Sequence, residues 1–173
     1  MDIGESIAGA YMRYIRECEV VVYNTFLRDQ QGEIDVVALK TGSPREVWLC
    51  EVTTHIGGML YVGSEGGDGT ISKLRDKLSR ARAFAEVAFP GDHLHFEIWS
   101  PRVAKGKLTD AFDALKAEAN SQGIDLGFVV NEDYTEKIRE LADHAGKNPS
   151  ATSEPAYRML QVLTHLRGAK FSF

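Results

Sequence analysis

The stretch that decides the fold is GEIDVVAL, residues 32–39, which is followed by WLCEVTTH, residues 48–55. Each stretch has the composition of a buried strand but carries one acid, Asp35 in the first and Glu51 in the second. Acids are depleted in strand interiors, and burying a carboxylate is costly unless a partner compensates its charge. The two acids therefore indicate a site rather than a plain part of the core.

Alternation along a strand predicts where these two acids lie. Residues i and i+2 share a face, so Asp35 lies with Val37 and Glu51 lies with Leu49. If the two strands pair as an antiparallel hairpin, Asp35 and Glu51 come together at one end of the sheet. Converging carboxylates repel each other unless a cation lies between them. A hard divalent ion such as Mg²⁺, held by carboxylates, a carbonyl oxygen and water, is one such cation.

Length and composition favour one folded domain. The chain has 173 residues, of which 43% are hydrophobic and 26% are charged, which is ordinary for a globular protein with a sizeable core. We predict a single domain over 1–173, with a core over 1–130 and a C-terminal helical extension over 131–173. The net charge of −5 argues against non-specific coating of nucleic acid but allows a local basic groove.

Several features favour a cytoplasmic protein with no membrane partner. No apolar run has the length that a membrane span needs. The stretch MDIGESIAGA, residues 1–10, has two acids and no basic segment, unlike a secretory signal. The two cysteines, Cys18 and Cys50, lack the spacing of a metal site, and they suit a reducing compartment.

Hydrophobic periodicity predicts ten alternating elements, whose order indicates an α/β fold with a mixed sheet. The glycine-rich stretch 57–69 is predicted as a loop that could engage a substrate, because glycines allow close approach to phosphates. The predicted helices cover 5–17, 70–87, 106–120, 131–145 and 153–167, and the predicted strands cover 19–24, 33–39, 46–54, 93–100 and 125–130.

Three stretches carry a family resemblance. They are GESIAGAYMRYI (4–15), YNTFLRDQQGEIDVVAL (23–39) and VWLCEVTTH (47–55). Together they resemble the PD-(D/E)xK nuclease superfamily, and most closely the Holliday-junction resolvase-like proteins. The resemblance implies a restriction-endonuclease-like αβββαβ core, with a mixed central sheet flanked by helices and with extra C-terminal helices. It also implies a metal-dependent endonuclease that hydrolyses DNA phosphodiester bonds, either resolvase-like or restriction-like.

The resemblance implies a metal site as well. Asp35, Glu51 and the carbonyl of Val52 would hold Mg²⁺, with Mn²⁺ as a substitute. Glu5 would bind a second metal or orient the attacking water. DNA is the expected partner, and a homodimer is possible by analogy with nucleases that cut both strands. The apolar tail 169–173 could make such a dimer contact or dock on its own chain.

One departure from the family pattern concerns a lysine. The position of the superfamily's lysine is Thr53 here, and a threonine carries no positive charge. In one interpretation the lysine has moved to the next helix, where Lys73 is best placed and Lys77 is second, with Arg80 on the same face. In the other, catalysis has been lost and the chain binds nucleic acid or a protein. Lys77, Arg80 and Thr53 are the candidate nucleic-acid contacts.

Simpler interpretations of these acids and bases remain open. Asp35 could pair with Arg28 or Arg45, and Glu51 could lie on a solvated strand face. Glu5 could simply favour the first turn of its helix, as acids do. The same alternatives apply to two neighbouring features: Glu33, which shares the face of Asp35, could be exposed, and the basic run 73–82 could be a solvated helix face.

A second group of residues competes as a metal site. His93, His95 and Glu97 alternate on one face of a predicted strand, and two histidines with a carboxylate are a plausible zinc or iron set. Histidines at this spacing are also common without a metal. An interaction module with no nucleic-acid role is a third hypothesis for function, and its mark would be acidic potential around Asp35 and Glu51.

Overall fold

The described part of the chain folds as a five-stranded mixed sheet flanked by five helices. The computed structural model describes residues 1–27, 32–55, 66–104 and 106–166. Within those ranges no helix has both the length and the apolar character needed to cross a membrane. All ten predicted elements occur in the predicted order: α1 (Ile3–Tyr14), β1 (Val20–Phe26), β2 (Glu33–Lys40), β3 (Glu46–Val52), α2 (Gly66–Ala88), β4 (His93–Ser100), α3 (Lys107–Ser121), β5 (Asp125–Val130), α4 (Glu132–Lys147) and α5 (Pro155–Thr164).

The strands lie in the sheet in their chain order. β1, β2 and β3 form an antiparallel meander, whereas β3, β4 and β5 are parallel. Parallel neighbours need a long crossover connection, and α2 and α3 provide the two crossovers. The mixed α/β sheet that the sequence predicts is therefore confirmed.

One face of the sheet is covered by α2 and α3. Val37, Leu49 and Phe96 point from three adjacent strands into the apolar core on this side. The apolar stripe of α2 faces the same core, and its members are Ile71, Leu74, Leu78, Ala81 and Ala85. Removing this surface from water is what holds the two helices on the sheet.

The opposite face is covered by α1 and α4. Tyr11 and Met12 of α1 pack with Trp48, Trp99 and Tyr134 in a second core. The last helix, α5, completes this side by packing against α1 and α4 around a third, smaller cluster, whose largest members are Leu141, Tyr157 and Leu160. The sheet is thus the middle layer of three.

Most element boundaries differ from the prediction by one to three residues, and two larger or site-adjacent differences, in β3 and α2, bear on the candidate site. β3 ends at Val52 rather than at residue 54, although the Thr53 N–H still donates to the Trp99 carbonyl at 2.9 Å. The helix α2 begins at Gly66, so residues 66–69 are helical rather than part of the predicted loop. The rest of that loop, residues 57–65, lies outside the described residues, as do Arg28 and the tail 169–173.

Helix α1 lies close against β1 at Gly9. A Cβ at this position would lie 2.5 Å from ring carbons of Tyr23, whose hydroxyl donates to Glu154 at 2.5 Å. We expect Gly9→Ala to destabilise the protein by about 1–3 kcal/mol, because overpacking forces the ring or the helix to move. Urea unfolding of the variant and the wild type measures the difference.

Gly146→Ala in α4 is the matched control. The atom nearest to a Cβ there is Cβ of Thr164 at 3.6 Å, an ordinary contact. Alanine is the better helix former, so this variant should be more stable by about 0.5–1 kcal/mol. Equal stability of Gly9→Ala and Gly146→Ala would contradict the close packing of α1 on β1.

Candidate active site

Asp35 and Glu51 lie beside each other at one end of the sheet. The antiparallel register of β2 and β3 places Val36 opposite Cys50, and one further step along both strands places Asp35 opposite Glu51. Their side chains share the face of Val37 and Leu49, which is the face covered by α2 and α3. The convergence expected from strand alternation is therefore present.

Each of the two carboxylates has a described partner. The Val52 N–H donates to Oδ2 of Asp35 at 2.7 Å. Glu51 forms an ion pair through Oε1 with the Lys77 ammonium, which α2 brings over the end of the sheet. The Glu51 side chain is only 15% exposed, so it does not lie on a solvated face. A main-chain donor and a lysine thus compensate the two acids within the protein.

Burial and neighbouring charges shift the pKa of both Asp35 and Lys77. Burial raises the pKa of Asp35, the charges of Glu5 and Glu33 raise it further, and the Val52 N–H and Lys77 oppose them. Burial likewise lowers the pKa of Lys77. A buried group with a shifted pKa beside specific charged partners is a recurring feature of functional sites.

The two candidate lysines occupy different environments. The Lys77 side chain is 37% exposed and pairs with Glu51, whereas Lys73, one turn earlier in α2, is exposed. The sequence favours Lys73 because a helix that begins near residue 70 would place it in the first turn. With a start at Gly66, Lys73 already lies in the second turn, and the contact with Glu51 is made by Lys77.

Glu5 has a structural role and also lies near the site. Its N–H and carboxylate exchange hydrogen bonds of 2.9 Å with Asp2 in a capping box at the start of α1, as the simpler interpretation expected. Its charge nonetheless raises the pKa of Asp35. Gly4 allows this proximity, because a Cβ there would collide with Thr54 after the end of β3.

The other predicted contacts surround the same end of the sheet. Glu33, Glu51, Lys77 and Arg80 line one pocket over an apolar floor. The Arg80 guanidinium lies close to Gly32, where a Cβ would be 2.9 Å from Nη1, and its charge contributes to the lowered pKa of Lys77. The pocket therefore brings the acids Glu33 and Glu51 together with the bases Lys77 and Arg80 beside Asp35.

The rest of the basic run on α2 is largely neutralised by acids. Arg75 pairs with Glu118 at 2.8 Å, and Arg82 pairs with Glu86 at 2.7 Å. Arg45, the described arginine considered as a partner of Asp35, pairs instead with Asp92. Within the basic run, Lys77 and Arg80 therefore contribute most of the positive charge that faces the site.

In the structure, the second candidate metal site contains Glu46 in place of Glu97. Glu97 shares the face of His93 and His95, but its oxygens bond to Arg16 at 2.5 Å and to the Trp99 indole N–H at 2.9 Å. The described residues contain one group of at least three His, Cys, Asp or Glu side chains whose ligand atoms all lie within 4.8 Å of one another. Its members are Glu46, His93 and His95. Sequence reasoning missed Glu46, because only the parallel register of β3 with β4 brings it there.

Comparison with known protein families, curated proteins and solved structures gives no match. The likeness to the PD-(D/E)xK superfamily therefore rests on the residues of this chain and remains a prediction. The fold and the grouping of Asp35, Glu51 and Lys77 stand independently of it.

Proposed function

We propose that this chain is a metal-dependent endonuclease with a restriction-endonuclease-like core, which hydrolyses DNA phosphodiester bonds in a resolvase-like or restriction-like manner. The observation that carries the proposal is the convergence of Asp35 and Glu51 at the end of β2 and β3, with Lys77 directed at them from α2. The order of α1, an antiparallel three-strand meander, α2 and a parallel fourth strand supports it.

The residues of the site fit a hard divalent ion. Asp35, Glu51 and the Val52 carbonyl supply oxygen donors of the kind that Mg²⁺ and Mn²⁺ prefer. The described bonds of the two carboxylates use one oxygen each, Oδ2 of Asp35 and Oε1 of Glu51. Bound there, the ion would polarise the phosphodiester and lower the pKa of a bound water.

The protein's own groups supply orientation and charge. The Val52 N–H fixes the Asp35 carboxylate, which lets it act as a ligand without reorganising. Lys77 provides the positive charge that Thr53 lacks, at a partly buried position where it stabilises charge developing on a phosphate more strongly than in water. Arg80 lines the same pocket and would contact a neighbouring phosphate, as arginines commonly do.

A second candidate function is binding of nucleic acid or a protein without catalysis. The observation that favours it is the Glu51–Lys77 ion pair, which already neutralises one of the two acids without a metal. In this alternative the site is a structural remnant of a nuclease. The two functions differ in whether divalent ions bind at Asp35 and Glu51.

Cleavage of linear, branched and single-stranded DNA by the wild-type protein tests the proposal. Each substrate is incubated with Mg²⁺, with Mn²⁺ and with EDTA, and calorimetry measures Mg²⁺ binding in parallel. We expect cutting of at least one substrate with either metal and none with EDTA. Absence of both cutting and divalent binding would reject the enzyme and leave the binding function.

A further inference from the structure

Four polar side chains meet at the opposite end of β3, on the face covered by α1 and α4. The parallel register places Glu46 of β3 beside His93 of β4. It places His95 of β4 beside Asp125 of β5. Glu46, His93, His95 and Asp125 therefore form a row across the starts of three adjacent strands.

His95 is oriented as a metal-ligating histidine would be. Its Nδ1 lies 2.5 Å from Oδ2 of Asp125, and its ring stacks on Trp48 with centroids 4.7 Å apart. The Nε2 atom is buried and has no hydrogen-bond partner in the described part of the chain. A carboxylate on Nδ1 holds the proton there and leaves the Nε2 lone pair for a metal.

Two further ligands lie within reach of this nitrogen. Oε1 of Glu46 is 3.8 Å from His95 Nε2, and the His93 ring centroid lies 4.4 Å from that of His95. Ligands on a tetrahedral zinc ion are about 3.3 Å apart, given bonds near 2.0 Å. The ligand atoms of the three residues lie within 4.8 Å of one another, and His93 is exposed, so a rotation of its side chain closes the remaining gap.

We propose that Glu46, His93 and His95 bind one zinc ion, with Asp125 as a positioning residue that orients His95. Two imidazole nitrogens and one carboxylate oxygen suit zinc, whereas Mg²⁺ prefers an all-oxygen octahedral shell. The proposal does not rest on nuclease activity, because these residues lie at the other end of β3 and on the other sheet face from Asp35 and Glu51. The bound ion would link the start of β3 to the start of β4, two strands that are separated in the sequence by α2.

Zinc titration of the metal-free 173-residue chain against a chromophoric chelator tests this site. We expect one equivalent of Zn²⁺ to bind the wild type, and Co²⁺ to give the visible bands of a tetrahedral site. His93→Gln is the main variant, because this exposed side chain can be replaced without disturbing the core. It should weaken zinc binding at least about 100-fold, and Asp125→Asn should weaken it about 10- to 100-fold.

Two controls separate this site from other effects. His165→Gln removes an exposed histidine outside the group, and Asp113→Asn removes an exposed acid on α3, so both should bind zinc like the wild type. Failure of the wild type to bind one equivalent would overturn the proposal, as would equal affinities of the wild type and His93→Gln. His95 would then be an imidazole held between Asp125 and Glu46 without a metal.

Discussion

Asp35→Asn is expected to abolish metal-dependent cleavage and to make the protein more stable at neutral pH. Asparagine keeps the oxygen that accepts the Val52 N–H but loses the negative charge that holds a divalent ion. Loss of a direct ligand should cost more than about 100-fold in activity and metal affinity, the upper range for residues that only support a ligand. Initial rates of DNA cutting and calorimetry with Mg²⁺ measure both.

The stability change follows from the raised pKa of Asp35. Because burial raises this pKa, the folded state holds the proton more tightly than the unfolded chain does. The resulting stabilisation is present below the ordinary pKa of 3.8 and is lost as the pH rises through the folded-state pKa. Asparagine does not titrate, so the variant loses no stability in this way. In EDTA the melting temperature of the variant should be higher than that of the wild type at neutral pH, and the two should converge as the pH falls towards 4.

Asp113→Asn is the matched control for this prediction. Asp113 is an exposed acid on α3, so its replacement should change neither cutting nor the pH dependence of melting. If Asp35→Asn cut DNA at the wild-type rate, Asp35 would not be a metal ligand. If Asp35→Asn melted like the wild type at every pH, burial would not raise the pKa of the Asp35 carboxyl group.

Lys77→Met is expected to lose activity where Lys73→Met does not. Removing the Lys77 ammonium takes away the charge nearest to both carboxylates, and we expect cutting to fall at least about 100-fold, as for an electrostatic donor in an active site. It also leaves Glu51 without its described partner, which should cost about 1–3 kcal/mol of stability. Lys73→Met, on the exposed side of α2, should cut within about threefold of the wild type and unfold at the same urea concentration.

A double variant identifies the source of the stability loss at this position. Adding Glu51→Gln to Lys77→Met removes the unpaired charge, so most of the lost stability should return, while activity stays absent because Glu51 is itself a proposed metal ligand. Lys77→Arg keeps a cation beside Glu51 and should preserve stability. Should Lys73→Met prove inactive and Lys77→Met active, the lysine of the site would be Lys73, the residue that the sequence alone favours.

The sequence could predict the grouping of Asp35 and Glu51 because that grouping depends on local rules. A short turn between two strands dictates an antiparallel hairpin, and the period of two in a strand then dictates which side chains share a face. The same periodic signals identified all ten elements. These rules need no knowledge of how distant parts of the chain pack.

Distant packing explains what the sequence could not predict. The choice between Lys73 and Lys77 depends on where α2 begins and how it rotates over the sheet, and the helix begins at Gly66 rather than at residue 70. The group of Glu46 with His93 depends on the parallel register of β3 and β4, whose partners are separated by the whole of α2. Glu97 shares their face, but its binding by Arg16 from α1 is again a tertiary contact.

The positions of the two tryptophans make intrinsic fluorescence a probe of one face of the sheet. The sequence contains only Trp48 and Trp99, and both lie in the core on the α1 side of the sheet, with Trp48 stacked on His95. Intrinsic emission therefore senses the neighbourhood of Glu46 and His95 through direct ring contact. Events in the pocket beneath α2 reach the same rings only through the thickness of the sheet, so one spectrum distinguishes the two ends of β3 without any added label.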